Sequence, residues 1–164
     1  YNTFLDSDDL IRMTDQMAAA ISSDPAIARI TAQSPMVIVL IPLRNYTDQI
    51  IPRDQGDIFL HRVRALLTAQ PSLQKRFIFV LNYAAFQRLL SENAFPASEL
   101  GPRENQLAPQ YALQAAFYSD THVSPEYRSD YYLCTFFLTN IATGQIVWEG
   151  SYETKKTLKS GFLD

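Results

Sequence analysis

Three segments of the chain have apolar residues at the three- and four-residue spacing of an amphipathic helix. The first runs from about Asp8 to Ser22, with Asp6 placed to cap its start and Asp24-Pro25 placed to end it. The second covers about Asp57 to Ala69, and the third about Ala84 to Asn93. The positions expected to face inward are Leu10, Met13, Met17 and Ile21, then Phe59, Val63, Leu66 and Leu67, then Phe86, Leu89 and Leu90.

Further segments have the composition and spacing of β-strands. Met36 to Leu43 and Phe77 to Leu81 are continuous apolar runs, which predict strands covered on both faces. Tyr111 to Ser119, Tyr131 to Asn140 and Gln145 to Lys155 predict three antiparallel strands. The inner face is expected to hold Tyr111, Leu113, Ala115 and Phe117 in the first of these three, and Ile146, Trp148 and Tyr152 in the last.

The connections between these segments are polar or rich in proline. Ala142-Thr143-Gly144 joins the last two strands, and its glycine suits the positive φ of a hairpin turn. Ala26 to Pro35, Arg44 to Gly56 and Ala94 to Pro109 predict loops. The order of elements predicts an α+β fold, with one mixed or antiparallel sheet of about five strands flanked by about three helices. The length favours one globular domain over residues 1–164.

Composition and charge narrow the class of protein. The chain has 14 basic and 17 acidic side chains, a net charge of −3 and a pI near 5.3, which is not the footprint of a nucleic-acid-binding protein. Its longest apolar run, Met36 to Ile41, is far shorter than the roughly 18 residues of a membrane helix. One cysteine excludes an internal disulfide framework. No cofactor-binding motif occurs, and no cofactor is expected.

The chain has no recognisable catalytic motif. Asp57 and His61 are four residues apart on a predicted helix and are expected to pair on its surface. Cys134 lies in a predicted strand among aromatic residues, where an inert core thiol is expected because no neighbouring group would lower its pKa.

Four polar residues cluster in the predicted connection between the first two antiparallel strands. They are Asp120, His122, Glu126 and Asp130. We interpret the connection as a solvated loop, because a flexible segment gives no fixed ligand spacing for a metal ion. A small metal-dependent hydrolase using His122, Glu126 and Asp130 is the alternative.

Tyrosine and arginine in predicted loops are candidates for contact with another protein, because both are enriched at binding hot spots. The partner-binding residues predicted on this basis are Arg44 and Tyr46 in one loop, and Tyr118, Tyr127 and Arg128 around the next; His122, in the same connection, is predicted with them. At the end of the last strand, Lys155, Lys156 and Lys159 are interpreted as a guard against pairing with another strand edge.

Several stretches occur in an order that matches a known family. They are Phe4 to Leu10, which opens a helix; Val37 to Thr47, a hydrophobic strand that ends in Pro-Leu-Arg-Asn-Tyr-Thr; Ala108 to Ser119; Tyr132 to Asn140; and Thr143 to Lys156. Together, from about Phe4 to Lys156, they resemble the LpoB family of outer-membrane lipoproteins, which activate bifunctional penicillin-binding proteins.

The resemblance implies a non-catalytic periplasmic domain that docks on a small regulatory domain of a penicillin-binding protein and raises glycan polymerisation and peptide crosslinking. The family's proline-rich tether and lipidated cysteine do not occur in these residues, so contact with the outer membrane is expected only through an N-terminal lipid anchor outside them. Phe95 to Leu107 has no counterpart in the family. An accessory lipoprotein of an outer-membrane secretion or assembly complex is the alternative.

Overall fold

The structure is a computed structural model that describes residues 3–51, 53–81 and 107–159. Its helices are α1 (Ser7–Ser23), α2 (Pro25–Gln33), α3 (Arg53–Leu67) and α4 (Pro71–Gln74). Its strands are β1 (Met36–Leu40), β2 (Arg44–Tyr46), β3 (Phe77–Val80), β4 (Tyr111–Val123), β5 (Tyr127–Asn140) and β6 (Ile146–Lys159).

The strands form one mixed sheet in the order β3-β1-β4-β5-β6, and β2 also pairs with β4. β1 is parallel to β3 and β4, β2 is parallel to β4, and β4, β5 and β6 are antiparallel. The predicted α+β fold is confirmed. The third predicted helix, Ala84 to Asn93, lies outside the described residues, as does most of Ala94 to Pro109.

The core lies between one face of the sheet and helices α1, α2 and α3. We call this face of the sheet the inner face and the opposite one the outer face. The helices contribute Met13, Met17, Ile21, Ile27, Phe59, Leu60, Val63 and Leu67, and the antiparallel strands contribute Leu113, Ala115, Phe117, Cys134, Phe136, Leu138, Trp148 and Tyr152. The stripes predicted for the first two helices are confirmed, with Leu10 and Leu66 only partly buried.

Helix α1 begins where the sequence predicted. The Asp6 carboxylate accepts a hydrogen bond from the backbone N–H of Asp9 at 3.0 Å, and the Asp9 carboxylate accepts one from Asp6 at 3.0 Å. This reciprocal capping box satisfies two backbone donors that a helix start otherwise leaves unpaired.

The prediction of a loop over Ala26 to Pro35 is wrong, because Pro25–Gln33 forms helix α2. The Asp24 carboxylate accepts a hydrogen bond from the N–H of Ile27 at 3.0 Å, so the residue that ends α1 also caps α2. Proline is suited to the first turn of a helix, where its missing N–H has no partner to lose.

The strands also depart from the predicted bounds. β1 ends at Leu40, and Arg44–Tyr46, predicted as loop, forms β2 beside β4. In β3 only Phe77 is fully buried, because this strand is an edge of the described sheet and not a central strand. Pro71 begins the short helix α4.

The hairpin of β5 and β6 turns where predicted, at Gly144 with φ +73°. Leu138 pairs with Trp148, but Thr139 pairs with Ile146, so Val147 is an extra residue in a β-bulge. The bulge turns Ile146 to the outer face, where it is 50% exposed. The expectation that Ile146 shares a face with Trp148 is therefore wrong.

Candidate functional site

Strands β4 and β5 form a long hairpin whose register decides what each residue faces. Phe117 pairs with Cys134 in the core, and Thr121 pairs with Asp130 four residues further along each strand. Because side chains alternate along a strand, Thr121 and Asp130 also face inward. Tyr118 and His122 therefore face outward. The prediction that Asp120 to Asp130 is a loop is wrong, because pairing continues to Val123 and Arg128.

Strand β2 adds an aromatic pair to the outer face. Tyr46 lies beside Tyr118 in the parallel ladder, and their rings stack with centroids 5.1 Å apart and planes 13° apart. The Arg44 guanidinium donates to the Tyr46 hydroxyl at 3.5 Å. Both rings stay about half exposed, at 53% and 44%. The stack thus presents large apolar rings in a fixed geometry, which reduces the entropy lost when a partner covers them.

The tip of the hairpin continues the same face. The ring of His122 lies 3.3 Å from the Asp120 carboxylate, and both side chains are largely exposed. Tyr127 follows the tight turn and is 45% exposed. The register therefore places five of the six predicted contact residues on the outer face: Arg44, Tyr46, Tyr118, His122 and Tyr127. We call these five residues the outer aromatic face.

The sixth predicted residue, Arg128, is turned to the inner side. Its Nε lies 2.9 Å from the Asp130 carboxylate, and its guanidinium approaches Asp48 at 3.8 Å. The hydrogen bond with Asp130 raises the pKa of Arg128 above its usual value. Tyr131, which the sequence analysis did not single out, also lies on the outer face, where Glu153 accepts its hydrogen bond. Strict alternation along β5 is the signal that would have found it.

A buried carboxylate anchors the base of this hairpin. Asp130 is 0% exposed and accepts hydrogen bonds from Thr3, from Thr121 at 2.5 Å and from Arg128. Burial alone would raise the pKa of Asp130, but these hydrogen bonds outweigh it and hold the pKa below its usual value. The network fixes the hairpin and ties the N-terminal segment to the sheet.

A second polar group holds the start of α1 against β6. Lys156 lies 2.8 Å from the Asp6 carboxylate and 2.5 Å from that of Asp9, and the Tyr152 hydroxyl donates to Asp9 at 3.3 Å. The hydrogen bond from Lys156 lowers the pKa of Asp6 to about 2. Lys156 therefore holds the start of α1 to β6 through its ion pairs. Lys155 and Lys159 remain exposed on the edge strand.

The residues of the metal-site alternative do not converge. His122 faces outward, Asp130 faces inward, and Glu126 is exposed in the turn. Within residues 3–51, 53–81 and 107–159, no three His, Cys, Asp or Glu side chains are grouped to hold a metal ion. On α3, the described chain shows no ion pair between Asp57 and His61, contrary to the expected surface pair.

An open groove of about 360 Å³ lies between the N-terminal segment and α3. Its lining is mostly apolar: Phe4, Leu5, Leu10, Ile50, Ile51, Ile58 and Phe59, with Asp6, Ser7 and Gln49. Among these described lining residues the charged group is Asp6, which Lys156 engages. This described part of the lining therefore lacks the convergent ionisable groups of an acid–base site.

A family model described as peptidoglycan-synthase activator LpoB matches residues 9–154. The chain belongs to the LpoB family. The match extends from α1 into β6, so the LpoB-family region contains the whole outer aromatic face. No curated protein matches the chain by sequence.

Two solved LpoB structures resemble this one in fold. The C-terminal domain of LpoB from Escherichia coli aligns with a TM-score of 0.53 at 14% identity, over 89% of this chain and 98% of that one. The LpoB C-terminal domain from Salmonella enterica aligns with a TM-score of 0.50 at the same identity and the same coverage. In the part of this LpoB-family chain that the structure describes, no helix is both long and apolar enough to cross a membrane.

The single cysteine of this LpoB-family chain is predicted to be unreactive in the folded state. Cys134 is 0% exposed, and burial, assisted by the charge of Asp9, raises the pKa of its thiol to about 12. Because the thiolate is the nucleophile, iodoacetamide at pH 8 should leave the native protein unmodified. Mass spectrometry should detect one added group only after unfolding in guanidinium. Rapid labelling without denaturant would contradict the burial of this strand.

Proposed function

We propose that this chain is a non-catalytic periplasmic regulator that binds and activates a bifunctional peptidoglycan synthase, a penicillin-binding protein. The observation that carries the proposal is the LpoB-family match over residues 9–154, a family described by synthase activation. The proposed role requires binding alone, and it uses no acid–base or metal-ligating group of the chain.

The outer aromatic face is the proposed docking surface for a regulatory domain of the synthase. Tyr46, Tyr118 and Tyr127 are about half exposed and share one side of the sheet with the Arg44 cation. Tyrosine and arginine are the side chains that most often supply binding energy at protein interfaces. Arg128 is assigned a supporting role, because its bonds to Asp130 hold the hairpin from which Tyr127 projects.

Activation by such a domain requires a difference in affinity and no chemistry of its own. If the outer aromatic face binds the active conformation of the synthase more tightly than the inactive one, binding shifts the population toward the active form. A tenfold preference corresponds to about 1.4 kcal/mol. A few tyrosine contacts present in only one conformation are sufficient for this difference.

The same proposal covers the location of the protein. We infer that residues 1–164 form one globular domain in the periplasm, tethered to the inner face of the outer membrane by an N-terminal lipid anchor. The support is the resemblance to a family of lipoproteins. A tethered domain meets its synthase at a raised effective concentration, so a modest intrinsic affinity is sufficient.

The decisive experiment is reconstitution with the bifunctional synthase of the same organism. Adding the chain should raise the rates of glycan polymerisation and peptide crosslinking, and the two proteins should bind in a direct assay. Unchanged rates together with no binding at micromolar concentration would reject the proposal.

Single substitutions test the docking surface. Tyr46→Ala and Tyr127→Ala should each weaken synthase binding by about 1–2 kcal/mol, roughly 5- to 30-fold in Kd, because each removes an exposed ring. Ile58→Ala is the matched control, since Ile58 is 49% exposed on α3, which packs against the inner face. Calorimetric titration gives the Kd values. Normal binding by both tyrosine variants would place the docking surface elsewhere.

A further inference from the structure

Strand β6 is the second edge of the described sheet, and it is long. Its 14 residues pair with β5 on one side, and no other described strand pairs with it. The backbone N–H and C=O groups that point away from β5 have no strand partner among the described residues. Proteins usually blunt such an edge with charge or with a short strand. On β6 the charged side chains are arranged in a definite order along the strand.

Acidic and basic side chains occupy separate halves of the outer face of β6. Glu149 and Glu153 come first and Lys155 and Lys159 follow, all of them exposed. A second copy of the strand laid antiparallel reverses this order. With Thr154 opposite its own counterpart, Glu149 of each copy lies opposite Lys159 of the other, and Glu153 lies opposite Lys155. The charges along the β6 edge are thus complementary to those of a second, antiparallel β6.

We propose that β6 pairs with β6 of a second copy of this chain, antiparallel and centred on Thr154, to form a dimer with one continuous sheet. Each copy contributes two acid–base pairs, and oppositely charged residues directly across two strands stabilise the pairing. A register shifted by one residue on each copy puts Glu153 opposite Glu153, or Lys155 opposite Lys155. Like charges in these positions disfavour the pairing.

This register gives the lysines a more specific role than blocking the edge. The lysines repel a strand that places basic residues opposite them. They attract a strand that places acidic residues opposite them, as the antiparallel β6 of a second copy does. A two-fold axis perpendicular to the sheet keeps both outer faces on the same side. If the proposed function is correct, the dimer presents two outer aromatic faces in one direction.

Sedimentation velocity over a concentration series of the whole chain tests the proposal, with a monomer–dimer equilibrium expected. E153K and K155E should each weaken the dimer by about tenfold or more, because each places like charges opposite one another twice. The double variant E153K/K155E restores opposite charges in reversed order and should return the wild-type equilibrium. E126K is the matched control, since Glu126 is exposed in the turn outside β6 and should leave dimerisation unchanged.

Circular dichroism separates loss of pairing from loss of fold. A wild-type chain that stays monomeric throughout the series would overturn the proposal, as would single variants that dimerise normally or a double variant that fails to recover. Because the readout is the oligomeric state and contains no synthase, failure here leaves the proposed function unaffected. Synthase activation by a strictly monomeric chain would support that function alone.

Discussion

Replacing Trp148 with alanine is expected to lower the free energy of unfolding by about 3–5 kcal/mol. Trp148 is 7% exposed and belongs to the core cluster on the inner face of β6. A side-chain carbon at Gly150 would lie 2.7 Å from the indole and 3.0 Å from the sulfur of Met17. The indole therefore fills the space that glycine leaves between the sheet and α1, and its removal creates a cavity where α1 docks.

Urea unfolding followed by circular dichroism measures this loss, since Trp148 is the only tryptophan and cannot report its own removal by fluorescence. Ile146→Ala is the control within the same strand. Ile146 is half exposed beyond the bulge, so its truncation should change stability by less than about 1 kcal/mol. An effect of Trp148→Ala as small as that of the control would refute the placement of Trp148 in the core.

The elements that sequence analysis predicted well are those with a local signal. Helix α1 has both an apolar stripe and the capping residue Asp6, and both are seen in the structure. The turn at Gly144 needs a positive φ that glycine adopts readily. Helix α2 also had a local signal, because Asp24-Pro25 is a good N-terminus as well as a good stop. The prediction used Asp24-Pro25 only as the end of α1 and not as the start of α2.

The ends of β4 and β5 were missed for a different reason. Their inner-face positions there include Thr121 and Asp130, and polar residues hide the alternation that marks a half-buried strand. On the inner face Asp130 accepts hydrogen bonds from Thr3 and Arg128, and Thr121 donates one to Asp130, so both side chains are held by polar partners. Thr3 is more than a hundred residues from Asp130 in the sequence, so their hydrogen bond cannot be recognised from the residues around either one.

Residue type alone suggested the candidate site, whereas its geometry depends on the fold. The structure places five of the six named residues, four of them arginine or tyrosine, on one face of the sheet. Their common side depends on the register of β2 against β4, a three-residue parallel pairing between distant segments. Arg128 differs from its neighbour Tyr127 only by strand alternation, which requires knowing that the segment is a strand.

The second large effect is expected at Asp130. Asp130→Ala should lower the free energy of unfolding at neutral pH by about 2–3 kcal/mol, because it removes a charged acceptor and leaves buried donors unpaired. This loss of stability should be smaller than the loss on breaking a fully buried ion pair, because the Arg128 side chain is 39% exposed and water can solvate it. The N-terminal segment also loses its bond from Thr3.

The same carboxylate predicts how stability depends on pH. The pKa of Asp130 is lower in the folded state than its usual value near 3.8. A lowered pKa adds stability that is fully present above the ordinary pKa of aspartate and is lost as the pH falls through the folded value. Asp130→Asn removes this titration, so the wild type should lose more stability than the variant between pH 6 and the acid range.

Asp120→Asn distinguishes this effect from a general loss of negative charge. Asp120 lies on the other face of the same hairpin with its side chain 70% exposed, and its carboxylate lies 3.3 Å from the exposed ring of His122. Urea unfolding at neutral and acid pH should show its variant close to wild type, while Asp130→Asn is less stable at neutral pH and nearly equal in acid. If the two asparagine variants behave alike, Asp130 does not anchor the hairpin, and the rigid support assigned to Tyr127 is lost with it.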